Sequence, residues 1–152
     1  MNIHFLSGTE TGSAEMLCED LEAEFGGEFS CKVSSLDDVA PTELDGETFY
    51  IVVTSTHGSG ELPFTAQGFF EKLEAAKPDL SHVRFAIFGM GDRTFGETFN
   101  QGSERMMNAL LAAKANQVGE RGIHDASSSD LPEEVAIPWL RTILSQAGSA
   151  AA

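Results

Sequence analysis

Basic side chains are what this chain has least of: nine Lys and Arg stand against 24 Asp and Glu in 152 residues, a formal net charge of -15. Such a surface repels phosphate backbones and anionic membranes, which argues against nucleic-acid binding and favours protein partners with basic faces. Acidity that serves solubility alone is the plainer alternative. Cysteine is scarce too. Cys18 and Cys31 lie too far apart for a C-x-x-C motif and match no metal-ligand spacing, so both are read as packed, reduced thiols. No apolar run approaches the roughly 20 residues of a membrane helix, and the N-terminus carries no basic segment followed by an apolar stretch; the cytoplasm is the expected location. What remains is apolar enough to fold, with 41% hydrophobic residues and 11 phenylalanines. The length suits one domain, expected over 1–147, with a disordered tail at 148–152.

The apolar pattern alternates between strand and helix. Asn2 to Ser7 reads as a short strand, and Ala14, Leu17, Cys18, Leu21 and Phe25 follow at helical spacing, ended by Gly26 and Gly27. Phe29 to Val33 reads as a second strand. Phe49 to Val53 is a nearly unbroken apolar run, the mark of a strand covered on both faces. Phe69, Phe70 and Leu73 stripe a helix ending near Lys77; Val83 to Phe88 is another interior strand. A helix with Met106, Met107, Leu110 and Leu111, a weaker strand around Gln117 to Ile123, and a last helix from about Pro132 to Ser145 complete the chain. Asp130 is placed as N-cap of that helix. Five strands alternating with helices predict an α/β fold, a three-layer doubly wound sandwich around a parallel sheet. In such folds ligands bind outside the carboxyl ends of the strands, where strand order reverses. The loops after strands one, three and four should meet there, and these are the loops rich in Gly, Ser and Thr.

The first loop, Ser7-Gly8-Thr9-Glu10-Thr11-Gly12-Ser13-Ala14, opens a helix. Backbone N–H groups at a helix start, with nearby hydroxyls, make a phosphate cage. The loop also reads as an ordinary strand-to-helix turn capped by Thr11 or Ser13. Neither G-x-x-x-x-G-K-[ST] nor G-x-G-x-x-G occurs here, and no Lys precedes Lys32. A phosphate would therefore be held by neutral donors, which suits a cofactor's handle and not phosphoryl transfer. The second loop contains Ser55, Thr56, His57 and Gly58; the third contains Gly91, Asp92, Arg93, Thr94 and Phe95. A ring in each loop, His57 and Phe95, could sandwich a planar heterocycle, although a lone loop histidine is often solvated and a lone loop phenylalanine often folds back on the core.

Taken together, Gly8-Thr9-Glu10-Thr11-Gly12-Ser13-Ala14-Glu15, Ser55-Thr56-His57-Gly58 and Gly91-Asp92-Arg93-Thr94-Phe95 resemble the three flavin loops of the short-chain flavodoxin family, in order and nearly end to end, and the chain is similar to its stand-alone MioC-type group. The resemblance implies a flavodoxin-like sheet of order 2-1-3-4-5 and FMN as cofactor. It implies that Thr9, Thr11, Ser13 and the N–H groups of Glu10, Thr11, Gly12, Ser13 and Ala14 hold the phosphate, and that Ser55 and Thr56 face the ribityl chain. His57 and Phe95 would flank the ring system, Gly58 would supply a peptide that turns as the flavin is reduced, and Gly91 and Asp92 would line the pyrimidine edge. His57 stands where many members have tryptophan and Phe95 where most have tyrosine, so FMN affinity is expected to be lowered. The implied function is a one-electron carrier, not a stand-alone enzyme, acting as a monomer between an NAD(P)H-dependent flavodoxin reductase and an acceptor enzyme. A small quinone-reductase-like flavoenzyme and a flavin-free interaction module are the alternatives on the same fold. No catalytic dyad or metal cluster is legible.

Overall fold

A computed structural model describes the chain except Thr11, residues 57–61, residues 92–100 and Ala152, with the backbone alone for 148–151. The elements are β1 (Asn2–Gly8), α1 (Ser13–Phe25), β2 (Ser30–Ser35), β3 (Thr48–Ser55), α2 (Phe64–Ala76), β4 (Arg84–Gly91), α3 (Gln101–Ala112), β5 (Asn116–Gln117), β6 (Gly122–Asp125) and α4 (Pro132–Ala151). The strands pair in parallel in the order β2-β1-β3-β4-β5, and β6 also pairs with β4.

Period-two alternation divides the interior into two cores. Ile3, Phe5, Phe49, Ile51, Val53 and Phe88 face α1 and α4, while Leu6, Tyr50, Val52, Phe85 and Ile87 face α2 and α3. The unbroken apolar run of β3 is thereby explained, since both of its faces lie under helices and Phe49 to Thr54 are all buried. On α1 the expected stripe of Ala14, Leu17, Cys18, Leu21 and Phe25 is buried. Both cysteines are free thiols; burial, with Glu15 and Glu19 behind it, pushes the Cys18 pKa well above its usual range, and burial pushes Cys31 up as well. No helix among the described residues is long and apolar enough to cross a membrane.

Three local expectations are corrected. The weak fifth strand is two short strands: Phe85 pairs with Gln117 and Phe88 with Gly122, so 118–121 carries two residues more than β4 opposite it. The excess leaves the ladder, and Arg121 and the Glu120 carbonyl from this segment bond Ser103 and Trp139. Asp130 does not cap α4. Its carbonyl lies 2.8 Å from His124 Nε2, the helix begins at Pro132, and Glu134 reaches back to accept the Leu131 N–H at 3.3 Å. Ser13 does not cap α1, because Gly12 holds the N-cap position and no side-chain bond caps it among the described residues; Thr11, the other candidate cap, lies outside them.

His4 carries a pH dependence. Its Nε2 lies 2.8 Å from Ser34 Oγ; burial and then the Lys32 charge hold its pKa below the ordinary 6.5, against an opposing pull from Asp45. The unfolded chain therefore binds this proton more readily than the folded one. The contribution is complete above about pH 6.5 and is lost as the pH falls through the lowered folded value. Urea titrations between pH 7 and 4 are expected to show this decline, and His4→Gln to flatten it.

Candidate functional site

The carboxyl ends of β1, β3 and β4 finish almost level, with Gly8 opposite Thr54 and Ser55 opposite Met90. The chain leaves β1 toward β2 on one side and reaches β3 on the other, so the reversal of strand order falls between β1 and β3. The three predicted loops leave the sheet at this edge.

The first loop is built around its own backbone. Thr9 is 7% exposed; its Oγ1 accepts the Gly12 N–H at 2.8 Å, leaving the hydroxyl proton free to donate. Gly12 has φ 96°, ψ -2°, left-handed backbone that L side chains rarely adopt, and its carbonyl accepts the first helical bond, from Met16 at 3.0 Å. The left-handed turn brings the following N–H groups to the open end of α1. Among the described residues nothing accepts the N–H groups of Ser13, Ala14 and Glu15, and Ala14 is 0% exposed. A buried N–H without an acceptor is costly and rare. The phosphate of a cofactor fits it: the donors lie together at a helix start, and Ser13 adds an exposed hydroxyl. No Lys or Arg precedes Lys32, so this loop itself supplies no cation to the helix start.

Ser55 ends β3 and Thr56 follows it, both half-buried. The Thr56 N–H donates to the Met90 carbonyl at 3.0 Å, and Thr56 Oγ1 accepts the Gly102 N–H at 2.9 Å. The Thr56 hydroxyl, expected to face the cofactor, thus also ties the second loop to the start of α3. Residue 102 must be glycine for this approach, because a Cβ there would lie 2.7 Å from the Ser55 carbonyl oxygen. Gly91 ends β4, and its carbonyl accepts the Ala126 N–H at 2.8 Å, fixing the root of the third loop against the end of β6. The structure brings Thr9, Glu10, Gly12, Ser13, Ala14, Ser55, Thr56 and Gly91 to this one edge. Thr11, His57, Gly58, Asp92 and Phe95 lie outside the described residues.

Two contributors escaped the sequence reading. Thr65 bonds the Thr9 N–H at 2.7 Å through its hydroxyl, and Phe64 donates its N–H to the Glu10 carboxylate at 2.6 Å. Both residues begin α2, whose first turn reads as loop in the sequence; Pro63 directly before Phe64 was the available signal for a helix start. A concavity of about 550 Å³ between α2 and α3, lined by Phe70, Leu73, Arg105, Ala109 and Lys114 among others, lies toward the carboxyl ends of both helices, away from the loops. No group of His, Cys, Asp and Glu among the described residues could hold a metal ion.

The flavodoxin family model matches residues 6–139. Protein MioC of Escherichia coli (strain K12) is 34% identical over 139 residues, 91% of this chain and 93% of that protein. The NADPH sulfite reductase flavoprotein alpha-component of Bacillus subtilis (strain 168) is 34% identical over 143 residues, 91% of this chain but 22% of that much longer protein. Among solved structures, a single-site mutant of flavodoxin from Pseudomonas aeruginosa superposes with a TM-score of 0.78 at 28% identity, covering 96% of this chain and 98% of that one. A match over nearly the whole chain, on this strand order, shows that the chain belongs to the flavodoxin family of FMN-binding electron-transfer proteins.

Proposed function

We propose that this chain carries electrons one at a time between a reductase and an acceptor enzyme, holding FMN by its phosphate at the start of α1. The observation that carries the reading is the buried Ala14 N–H, which, with those of Ser13 and Glu15, lacks an acceptor among the described residues behind the left-handed Gly12. Bound FMN supplies the redox chemistry; the protein supplies binding, orientation and exclusion of water. Ser13, Ala14, Glu15 and the Thr9 hydroxyl hold the phosphate with neutral donors, Ser55 and Thr56 face the ribityl chain, and His57 and Phe95 flank the ring system. Gly58 supplies a peptide free to turn, and Gly91 and Asp92 border the pyrimidine edge. His57 in place of tryptophan reduces stacking area and Phe95 in place of tyrosine removes a hydroxyl, and both weaken the hold on the flavin. The relatives' names support a role beside NADPH-dependent partners, since one is an NADPH sulfite reductase component and another an NADPH-dependent diflavin oxidoreductase. The charge of -15 favours fast, weak docking of basic-faced partners on a monomeric, cytoplasmic carrier.

The test is an absorption titration of the apoprotein with FMN followed by stepwise photoreduction. Flavin bands that shift on binding and bleach in two one-electron stages support the carrier; absence of binding ends it. Reduction of the loaded protein by an NADPH-dependent flavodoxin reductase should also slow as NaCl rises from 20 to 500 mM, by about tenfold or more, because steering by opposite charge is screened. A rate indifferent to salt removes the electrostatic part of the proposal.

A further inference from the structure

Two helix starts meet at the carboxyl edge of the sheet, those of α1 and α2, each 13 residues long. A helix start attracts negative charge, so either could take the phosphate of a bound cofactor. The structure treats them differently. At α2 the first three N–H groups are all satisfied from within the chain: Phe64 donates to Glu10 Oε2 at 2.6 Å, Thr65 to the Thr9 carbonyl at 3.3 Å, and Ala66 to the Pro63 carbonyl at 2.9 Å. The Thr65 hydroxyl closes the junction by accepting the Thr9 N–H at 2.7 Å and donating to the Thr9 carbonyl at 3.1 Å. At α1 the N–H groups of Ser13, Ala14 and Glu15 have no acceptor among the described residues. One helix start is filled by the chain's own carboxylate, and the other is left open.

That carboxylate stands in an odd place. Glu10 lies in the middle of a loop that cages a phosphate, where a second negative charge would repel the ligand. Its side chain is turned to the start of α2, where the positive end of the helix offsets its charge, and the contact fixes the loop two residues before Gly12 turns left-handed.

We propose that Glu10 is a positioning residue: by capping α2 it clamps the first loop to the start of that helix and holds the N–H groups of α1 aimed at the phosphate. The inference rests on the reading of α1 as the phosphate site. It makes a prediction of opposite sign to that of a carboxylate acting by charge alone. If Glu10 only repels the ligand, removing it tightens binding; if it positions the loop, removing it weakens binding.

The experiment compares the full-length apoprotein with Glu10→Ala and Glu10→Gln, titrated with FMN and with riboflavin, which lacks the phosphate. Glu10 is exposed, so neither change removes core packing. Glu10→Ala is expected to weaken FMN about tenfold, the loss of one charge-assisted N–H to carboxylate contact, while riboflavin changes less than about twofold. Glu10→Gln keeps an acceptor oxygen and should recover most of the affinity. Hydrogen exchange of the Phe64 amide should be fastest in Glu10→Ala and slowed again in Glu10→Gln. Tighter or unchanged FMN binding in Glu10→Ala, equal losses for FMN and riboflavin, or no recovery in Glu10→Gln each overturns the proposal. Failure of the wild-type protein to bind any flavin sinks the cofactor reading separately. Inorganic phosphate then serves as the probe: shifts of the Ser13 to Glu15 amide resonances that follow the same order of variants uphold the role of Glu10, and their absence overturns it.

Discussion

Phe88→Ala is expected to lower the free energy of unfolding by about 3–5 kcal/mol, the usual cost of deleting a large aromatic side chain from a packed core. Phe88 is 0% exposed on β4, opposite Val53 on one side and Gly122 on the other. Its ring lies 5.3 Å from that of Trp139 on α4, tilted by 57°. The neighbour at 122 leaves no slack, since a Cβ there would come within 2.5 Å of Phe88 Cδ2 and 2.9 Å of the Trp139 ring. β6 cannot move inward to close the gap, because its backbone is held to β4 by the ladder from Gly122 to Asp125. The cavity should therefore persist, and the cost should sit at the upper end of that range. A domain of this size commands only about 5–15 kcal/mol in total, so the urea midpoint should fall by a third or more. Trp139 is the single tryptophan and reports directly through its fluorescence. A loss below about 1.5 kcal/mol would show that Trp139 drops into the vacated space, contrary to this account.

Gly12→Val is expected to raise the FMN dissociation constant by about 100-fold, with a much smaller effect on the thermal midpoint of the apoprotein. At φ 96° and ψ -2° a β-branched residue is strained by about 1–3 kcal/mol, equivalent to roughly 5- to 150-fold in affinity. Space is not the obstacle, as among the described residues nothing lies within 4 Å of the position a Cβ would take. The cost is purely one of backbone conformation. Without ligand the loop can relax into an extended shape and shed the strain, sacrificing the Gly12 N–H bond to Thr9 Oγ1. With ligand it must return, because the N–H groups of Ser13, Ala14 and Glu15 converge only when residue 12 turns left-handed. Flavin fluorescence quenching measures the affinity and circular dichroism the midpoint. An unchanged dissociation constant would falsify the placement of the phosphate at the start of α1.

The outline of the fold is legible because its strands and helices have different apolar periods. The Phe49 to Val53 run announces a central strand, and the stripe from Ala14 to Phe25 announces a helix on one face of the sheet. The fifth strand was less legible. Gln117, Val118 and Ile123 suggest one weak strand, but only pairing with β4 shows that 118–121 cannot stay in register and that two short ladders form instead. The start of α2 was hidden for a different reason. Phe64 and Thr65 carry no helical stripe of their own, and they are helical because Glu10 and Thr9, more than 50 residues earlier, satisfy their N–H groups.

At the site the division is similar. Residue types and order in the three loops, the lack of cations before Lys32 and the excess of acid were all present in the chain, since they depend on composition and spacing alone. From them follow the family and two expectations, a phosphate gripped by neutral donors and partners of opposite charge. Which atoms remain available was decided only in three dimensions. Hydrogen-bond capacity is a property of neighbours: Thr56 Oγ1 is engaged because α3 starts at Gly102, α2 is closed to anions because Glu10 reaches it, and the start of α1 stays open because no carbonyl or carboxylate among the described residues folds back onto it.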